Sequence, residues 1–437
     1  MKGINVMKFY STNRLSPEVD FKQATIQGQA PDKGLYFPGY IPKLDESFIN
    51  NINDYSNEAI AYEVIKPYVG ESIPEDVLKQ IVVETVNFDI PLVPVNENIF
   101  SLELFHGPTL AFKDIGARFM SRCLGYFVKN QPRKVTVLVA TSGDTGGAVA
   151  NGFYDVPGVE VVILYPSGKV SSVQEKQLTT LGKNIHALEV KGTFDDCQHM
   201  VKEVFANAQD FPHLFLTSAN SINVARWLPQ QFYYFFAYKQ WPDKNQPPVI
   251  SVPSGNFGNI CAGLLAQASG LPVQHFLAAC NANDTIPEFL NTGIYPDKKS
   301  VATISNAMDV ASPSNFVRIM EIFEKNMPAL KEKLTAYSIS DTDTKSTLKK
   351  VFEEHQYLLD PHGAVGYNAL EQYLNGNPSQ KGIVVETAHP VKFYDVVEPL
   401  INRQIKIPAT VAAQLQLEKK SLVMDSNSES LYNYLKE

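Results

Sequence analysis

Val135-Thr136-Val137-Leu138-Val139-Ala140-Thr141-Ser142-Gly143-Asp144-Thr145-Gly146-Gly147 decides the fold class. A run of apolar and β-branched residues leads straight into a glycine-rich turn, and a stretch of helical length follows from near Ala148. Uninterrupted strands of this kind are buried on both faces. The texture recurs at Glu160 to Tyr165, Ile185 to Val190, His213 to Thr217, Val249 to Pro253, Val273 to Ala279 and Gly382 to Thr387, each run separated from the next by a helix-length segment. That alternation is the signature of βαβ units. It predicts a mostly parallel, helix-covered sheet that binds ligands outside the carboxyl ends of its strands.

The 437 residues are enough for two or three domains. From Tyr55 to Val95 the apolar spacing is near 3.6, with Pro67 and Pro74 between segments, so residues 1–95 read as a mainly helical N-terminal domain. Before it, Ala30 to Pro38 reads as an ordered loop with an apolar anchor. Residues 96–437 read as the α/β region, a small domain at roughly 130–240 and a large one at roughly 96–129 and 241–437. The tail after Pro408 is more polar, and its Met424 to Ser428 stretch is expected to be mobile. A net charge of −8 and a pI near 5.6 argue against nucleic-acid or anionic-membrane partners. Cys123, Cys197, Cys261 and Cys280 form no C-x-x-C pair and read as buried thiols, not a metal site. No secretory signal or apolar run of membrane length is seen, so a soluble, cytoplasmic protein is expected. The oligomeric state is left open, a monomer being compatible with the sequence.

Three motifs carry chemistry. Lys113, in His106-Gly107-Pro108-Thr109-Leu110-Ala111-Phe112-Lys113-Asp114, follows an apolar run that disfavours its charged form and leaves a neutral amine able to attack an aldehyde. The loop Thr141 to Gly147 offers backbone N–H groups at a helix N-terminus, which suits a carboxylate or phosphate. It is not a Walker A loop, and a plain strand-to-helix turn is the alternative. Ser254-Gly255-Asn256-Phe257-Gly258-Asn259 follows a strand, opens the apolar helix Ile260 to Ala268, and makes a second anion cradle in which glycines let backbone approach a phosphate. Two cradles and one apolar lysine describe pyridoxal phosphate (PLP) with an amino acid.

Taken with Phe9 to Thr12, Gln27-Gly28, Gly34 to Tyr36, Asn220-Ser221-Ile222-Asn223 with Arg226, Asp360-Pro361-His362 and Thr387 to Pro390, these motifs resemble the threonine synthase family nearly end to end. The likeness is to the branch with an extra N-terminal domain. The resemblance implies PLP fold type II: two parallel-sheet-based three-layer domains with PLP in the cleft. It implies that Lys113 is the Schiff-base lysine and catalytic base, that Gly255, Asn256, Phe257, Gly258 and Asn259 hold the cofactor phosphate, and that Thr387 faces the pyridine nitrogen. Ser142, Gly143, Asp144 and Thr145 then correspond to the substrate-carboxylate site, and Asn220, Ser221 and Arg226 to the substrate-phosphate site. The implied reaction takes O-phospho-L-homoserine and water to L-threonine and phosphate. A phospholyase giving 2-oxobutyrate and ammonia shares every motif, a serine or threonine dehydratase fits the phosphate motif less well, and a non-catalytic PLP or amino-acid sensor would be expected to lack Lys113.

Asp144 stands out, since an ionised carboxylate there would repel a substrate carboxylate. It is expected either to be protonated or to accept a bond from a neighbouring donor. His355 and His362 lie outside any H-E-x-x-H frame and read as structural. His389 suits either orientation of the cofactor or stabilisation of a turn.

Overall fold

The computed structural model describes residues 7–129 and 134–436. The strands β1 (Phe9–Ser11) and β2 (Tyr36–Pro38) form an antiparallel ribbon in the N-terminal region. Strands β3 (Leu92–Pro94) and β4 (Ile99–Glu103) come next, followed by β5 (Val135–Ala140), β6 (Val159–Pro166), β7 (Ile185–Lys191) and β8 (Phe215–Thr217). Then come β9 (Val249–Pro253), β10 (His275–Cys280), β11 (Leu334–Ser338), β12 (Gly382–Glu386) and β13 (Leu422–Asp425). They build a six-stranded sheet in the order β11-β10-β9-β12-β4-β3 and a five-stranded sheet in the order β13-β7-β6-β5-β8. The pairings are parallel except that of β3 with β4. This is the α/β architecture predicted from the run at Val135, and all six residues of β5 are buried.

The N-terminal region is helical as expected, with helices Phe21–Gln27, Asn57–Val69 and Glu75–Thr85. Pro67 does not separate segments but lies inside the last turn of Asn57–Val69, which ends at Gly70 with φ 57°. The Ala30 to Pro38 loop is ordered by Asp32, whose carboxylate accepts from Ser11 Oγ at 2.6 Å and from the N–H of Gly34 and of Leu15. Leu35, Tyr36 and Phe37 are its buried anchor.

The tail departs from expectation. Instead of being mobile, residues 422–425 pair with β7 and extend the five-stranded sheet, and the helix Ser428–Lys436 follows. Met424, Leu431 and Leu435 pack into the same core as Cys197, Val204 and Phe211. The polar composition misleads because a short edge strand and one amphipathic helix need only these few apolar residues. Replacing Leu431, which is fully buried, with Ala should cost about 2–5 kcal/mol. A lower urea midpoint for Leu431→Ala checks it; an unchanged midpoint would mean that the tail adds nothing to the core.

The loops that follow β5, β9 and β12 leave the carboxyl ends of strands from both sheets. That is where open α/β sheets hold ligands.

Candidate active site

Lys113 opens the helix Lys113–Val128. The preceding turn hangs on the end of β12: Phe112 N–H donates to Thr387 O at 2.8 Å, His389 N–H donates to Leu110 O at 3.1 Å, and Ala111 bridges Ala388. Tyr233 donates its hydroxyl to Phe112 O. Burial pushes the Lys113 pKa below the ordinary lysine range; the Asp144 carboxylate opposes the shift, and the charges of Lys392 and Arg226 add to it. No described residue accepts a hydrogen bond from its Nζ, which lies 4.7 Å from the Phe112 ring centroid.

The loop after β5 differs from its sequence reading in one respect. The helix begins at Asp144, not near Ala148, and Gly143 precedes it with φ 137°. Gly143 and Gly146 turn their N–H groups inward to Thr141 Oγ1, at 3.0 and 2.8 Å. The N–H groups of Ser142, Asp144 and Thr145 have no acceptor among the described residues and stay available to an anion. A Cβ on Gly143 would lie 2.5 Å from the Gln174 side chain, so glycine is needed here for space as well as for φ.

Asp144 is ionised, which removes the protonated alternative. Burial alone would raise its pKa, but the Lys392 and Lys113 charges and hydrogen bonds from Lys392 and Gln174 hold it well below the usual carboxylate range. Lys392 Nζ stands 2.7 Å from Asp144 Oδ1 and donates to Thr109 O at 2.8 Å, and Gln174 Nε2 reaches Asp144 Oδ1 at 3.0 Å. Lys392 is fully buried. Sequence reading missed it, although a lysine in the apolar run Pro390-Val391-Lys392-Phe393 just past a strand repeats the signal that marks Lys113.

In the loop after β9, Phe257 takes the left-handed conformation at φ 61° and caps the helix Gly258–Ala268. The N–H groups from Gly255 to Asn259 have no acceptor among the described residues. A Cβ on Gly255 would come 2.6 Å from Met308 Cα, so backbone packs there with no room for a side chain. Asn259 Nδ2 ties the helix start to Pro253 O at 2.8 Å. Asn256 Nδ2 donates to Ser221 Oγ at 2.6 Å, which joins this loop to the Asn220 to Arg226 motif. Arg226 is buried, its Nη1 donating to Ala219 O at 2.6 Å while Nε lacks a partner among the described residues. Burial lowers its pKa to about 10, against Tyr233 and Asp114. It stays a cation.

Three comparisons bear on this geometry. Models of known families match residues 87–387 as a pyridoxal-phosphate dependent enzyme, 8–86 as the threonine synthase N terminus and 363–434 as the threonine synthase C-terminal region. The chain is 43% identical over 433 residues to threonine synthase of Haemophilus influenzae, covering 98% of this chain and 99% of that one. The chain belongs to the threonine synthase family. The crystal structure of threonine synthase from Escherichia coli superposes with a TM-score of 0.92 at 41% identity, covering 98% of this chain and 99% of that chain. A PLP-bound threonine synthase from Brucella melitensis superposes equally well, with a TM-score of 0.92 at 33% identity and the same coverage. The fold is that of type II PLP enzymes.

PLP fits the residues present. Five consecutive unpaired N–H donors at a helix N-terminus match a phosphate, and a desolvated lysine matches an aldehyde. Thr387 is buried at the end of β12, beside the turn that carries Lys113. Burial and the adjacent Asp360 carboxyl raise the pKa of its neighbour Glu386 far above the usual range. His362 packs against Asp360 through Nδ1 at 2.5 Å and accepts from Ala307 N–H at 3.2 Å, a structural role. Among the described residues there is no cluster of His, Cys, Asp and Glu suited to a metal and no helix long and apolar enough to cross a membrane.

His389 accepts Val391 N–H at Nδ1, 3.1 Å, which makes it the cap of the turn that presents Lys392. Burial, reinforced by His106, lowers its pKa to about 4. The unfolded chain therefore takes up this proton first, and stability is lost as pH falls from about 6.5 toward 4. His389→Asn keeps a capping acceptor without the titration. It should escape ~2 kcal/mol of the loss that wild type suffers between about pH 6.5 and 4.5, as read from urea unfolding at both pH values; parallel losses would assign the pH dependence elsewhere.

Lys392→Met should destabilise by about 3–5 kcal/mol, because Asp144 is left buried and unpaired. The double variant with Asp144→Asn should recover most of this in the same urea assay. A double variant no more stable than the single would show that the pair is not coupled.

Proposed function

We propose that this cleft converts O-phospho-L-homoserine and water to L-threonine and phosphate, with PLP bound between the sheets. The observation that carries the reading is the convergence of two N–H cradles, one desolvated lysine and an incompletely paired buried arginine. Gly255, Asn256, Phe257, Gly258 and Asn259 hold the cofactor phosphate, and Thr387 stands at the pyridine nitrogen. Ser142, Gly143, Asp144 and Thr145 receive the substrate carboxylate through backbone N–H groups. Asn220, Ser221 and Arg226 hold the substrate phosphate.

Bound PLP supplies an electron sink for negative charge at the substrate Cα, and a neutral threonine hydroxyl at the ring nitrogen keeps that sink milder than a carboxylate would. Lys113 Nζ, whose pKa burial lowers, takes the Cα proton when in its neutral form. Arg226 offers the planar fork that suits a phosphate dianion, and it can hold the group before and after the carbon–oxygen bond breaks. Binding the phosphate remote from Cα also orients the reacting bonds. Loss of a second proton, from Cβ, lets the carbon–oxygen bond at Cγ break and the phosphate leave; Cγ then takes up a proton to become the methyl group, and water adds its hydroxyl at Cβ as a proton returns to Cα. The family likeness and the absence of a membrane-length helix among the described residues support a cytoplasmic biosynthetic enzyme acting on a small molecule. A monomer is the simplest assembly, and neither nucleic acid nor membrane is a partner.

The test is product analysis of the PLP-loaded protein with O-phospho-L-homoserine, alongside Lys113→Ala. Threonine and phosphate should appear in equal amounts and be lost in the variant. Formation of 2-oxobutyrate with ammonia would make the protein a phospholyase, and no phosphate release would overturn the substrate assignment.

A further inference from the structure

Arg318 is fully buried, and no carboxylate pairs with it among the described residues. Its Nε and Nη2 donate to Tyr36 O at 3.1 and 2.9 Å, Nη1 to Ser221 O at 3.2 Å and Asn315 Oδ1 at 2.8 Å, and Nη2 to Ile222 O at 2.6 Å. The guanidinium carbon lies 4.4 Å from the Trp227 ring centroid. Every acceptor is neutral. A buried cation held this way keeps its charge uncompensated within the protein, which is unfavourable unless something anionic completes the site. Burial lowers its pKa only to about 9, so it remains charged at neutral pH.

Apart from Asn315, which caps its own helix, its acceptors fall in two places. Ser221 and Ile222 belong to the Asn220 to Arg226 motif, whereas Tyr36 belongs to β2 of the N-terminal region. A second tie runs the same way: Asn223 Nδ2 donates to Thr25 O at 2.9 Å, and Asn223 Oδ1 accepts Ala225 N–H at 3.0 Å at the start of the short helix bearing Arg226. Gly28 lies against the same loop, since a Cβ there would sit 3.2 Å from Thr217 Oγ1 and 3.3 Å from Asn223 Nδ2. Asn315 extends the network to the loop after β9, with Nδ2 donating to Ser221 Oγ at 3.1 Å and Asn256 O at 3.2 Å.

We propose that Arg318 is a positioning residue for the substrate phosphate, fixing the Asn220 to Arg226 loop against the N-terminal region and adding a buried positive charge beneath it. The N-terminal region is then part of the phosphate subsite, through Thr25 and Tyr36, and not only an added domain. This inference rests on the substrate-phosphate assignment made above.

The test compares wild type, Arg318→Lys and Asn223→Ala as PLP-loaded enzymes. Three quantities are read: KM and kcat with O-phospho-L-homoserine, the Kd of inorganic phosphate by calorimetry, and cofactor content by absorbance. Loss of loop-fixing hydrogen bonds should raise KM and weaken phosphate binding about tenfold in each variant, with kcat within about threefold and cofactor content unchanged. A lower melting temperature with KM and phosphate Kd unchanged would reduce Arg318 to framework and overturn the proposal. So would a fall in kcat or cofactor content alone, or a wild type that does not bind phosphate. Should Arg318→Lys not fold, Asn223→Ala decides by the same readings. A wild type that binds phosphate yet makes no threonine would defeat the proposed reaction, while the phosphate Kd series would still judge Arg318.

Discussion

A lysine withdrawn from water between two sheets is the constraint around which the cleft is arranged. Lys113 has no hydrogen-bond acceptor among the described residues, and burial works against its ammonium form. Of the two carboxylates that favour its charged form, Asp144 acts more strongly than Asp360. Lys392 occupies the Asp144 carboxylate at 2.7 Å, and the Lys392 and Arg226 charges add to the pressure on Lys113 to lose its proton. Neutral amine is the form that can attack an aldehyde or accept a proton. The cleft therefore favours the reactive state of one lysine by placing a second lysine on the carboxylate that most opposes it.

Position is secured by backbone. The turn before Lys113 contains Leu110 at φ 56° and is pinned by bonds from Phe112 and His389 to and from the end of β12. Those groups lie in the interior, where an unmade backbone hydrogen bond is costly. Lys113 thus inherits its place from the six-stranded sheet, while the loop after β5 inherits its place from the five-stranded one. Gln177 crosses between them, donating to Thr109 O at 3.1 Å, the same oxygen that Lys392 uses. That carbonyl on the Lys113 segment is one tie between the two halves, beside the Lys392–Asp144 pair and the Asn256–Ser221 bond.

What the sequence discloses follows from how local each signal is. The strands β5, β6, β9 and β12 are predominantly apolar runs, β7 less so with His186 and Glu189 inside it, and the two loops carry glycines that mark a close approach of backbone. Lys113 is legible because its apolar neighbours precede it directly. Arg318 and Gln174 are not legible, since each looks like an ordinary polar residue on a helix and acquires meaning only from partners brought in by the fold. β13 is hidden for a related reason: Leu422 and Val423 are exposed and only Met424 of its apolar residues is buried, so the strand carries no burial pattern. The helix start at Asp144 is four residues earlier than the apolar texture suggests, because Gly146 and Gly147 mask helical periodicity.

Asp144 shows how an apparent conflict in sequence dissolves into a pair. A neutral amide at this position would need no counter-ion and would leave an incoming carboxylate unopposed. A carboxylate needs one, and Lys392 supplies it so closely that the two present no net charge to the cleft. The cost is a desolvated ion pair, which a buried site tolerates only when hydrogen bonds satisfy both members. Gln174 completes the carboxylate and Thr109 O the ammonium, and His389 caps the turn that carries the lysine. With the pair closed on itself, an anion at this loop meets the N–H groups of Ser142, Asp144 and Thr145 and the positive end of the helix behind them. The acidic side chain then shapes the loop without subtracting from its attraction for a carboxylate.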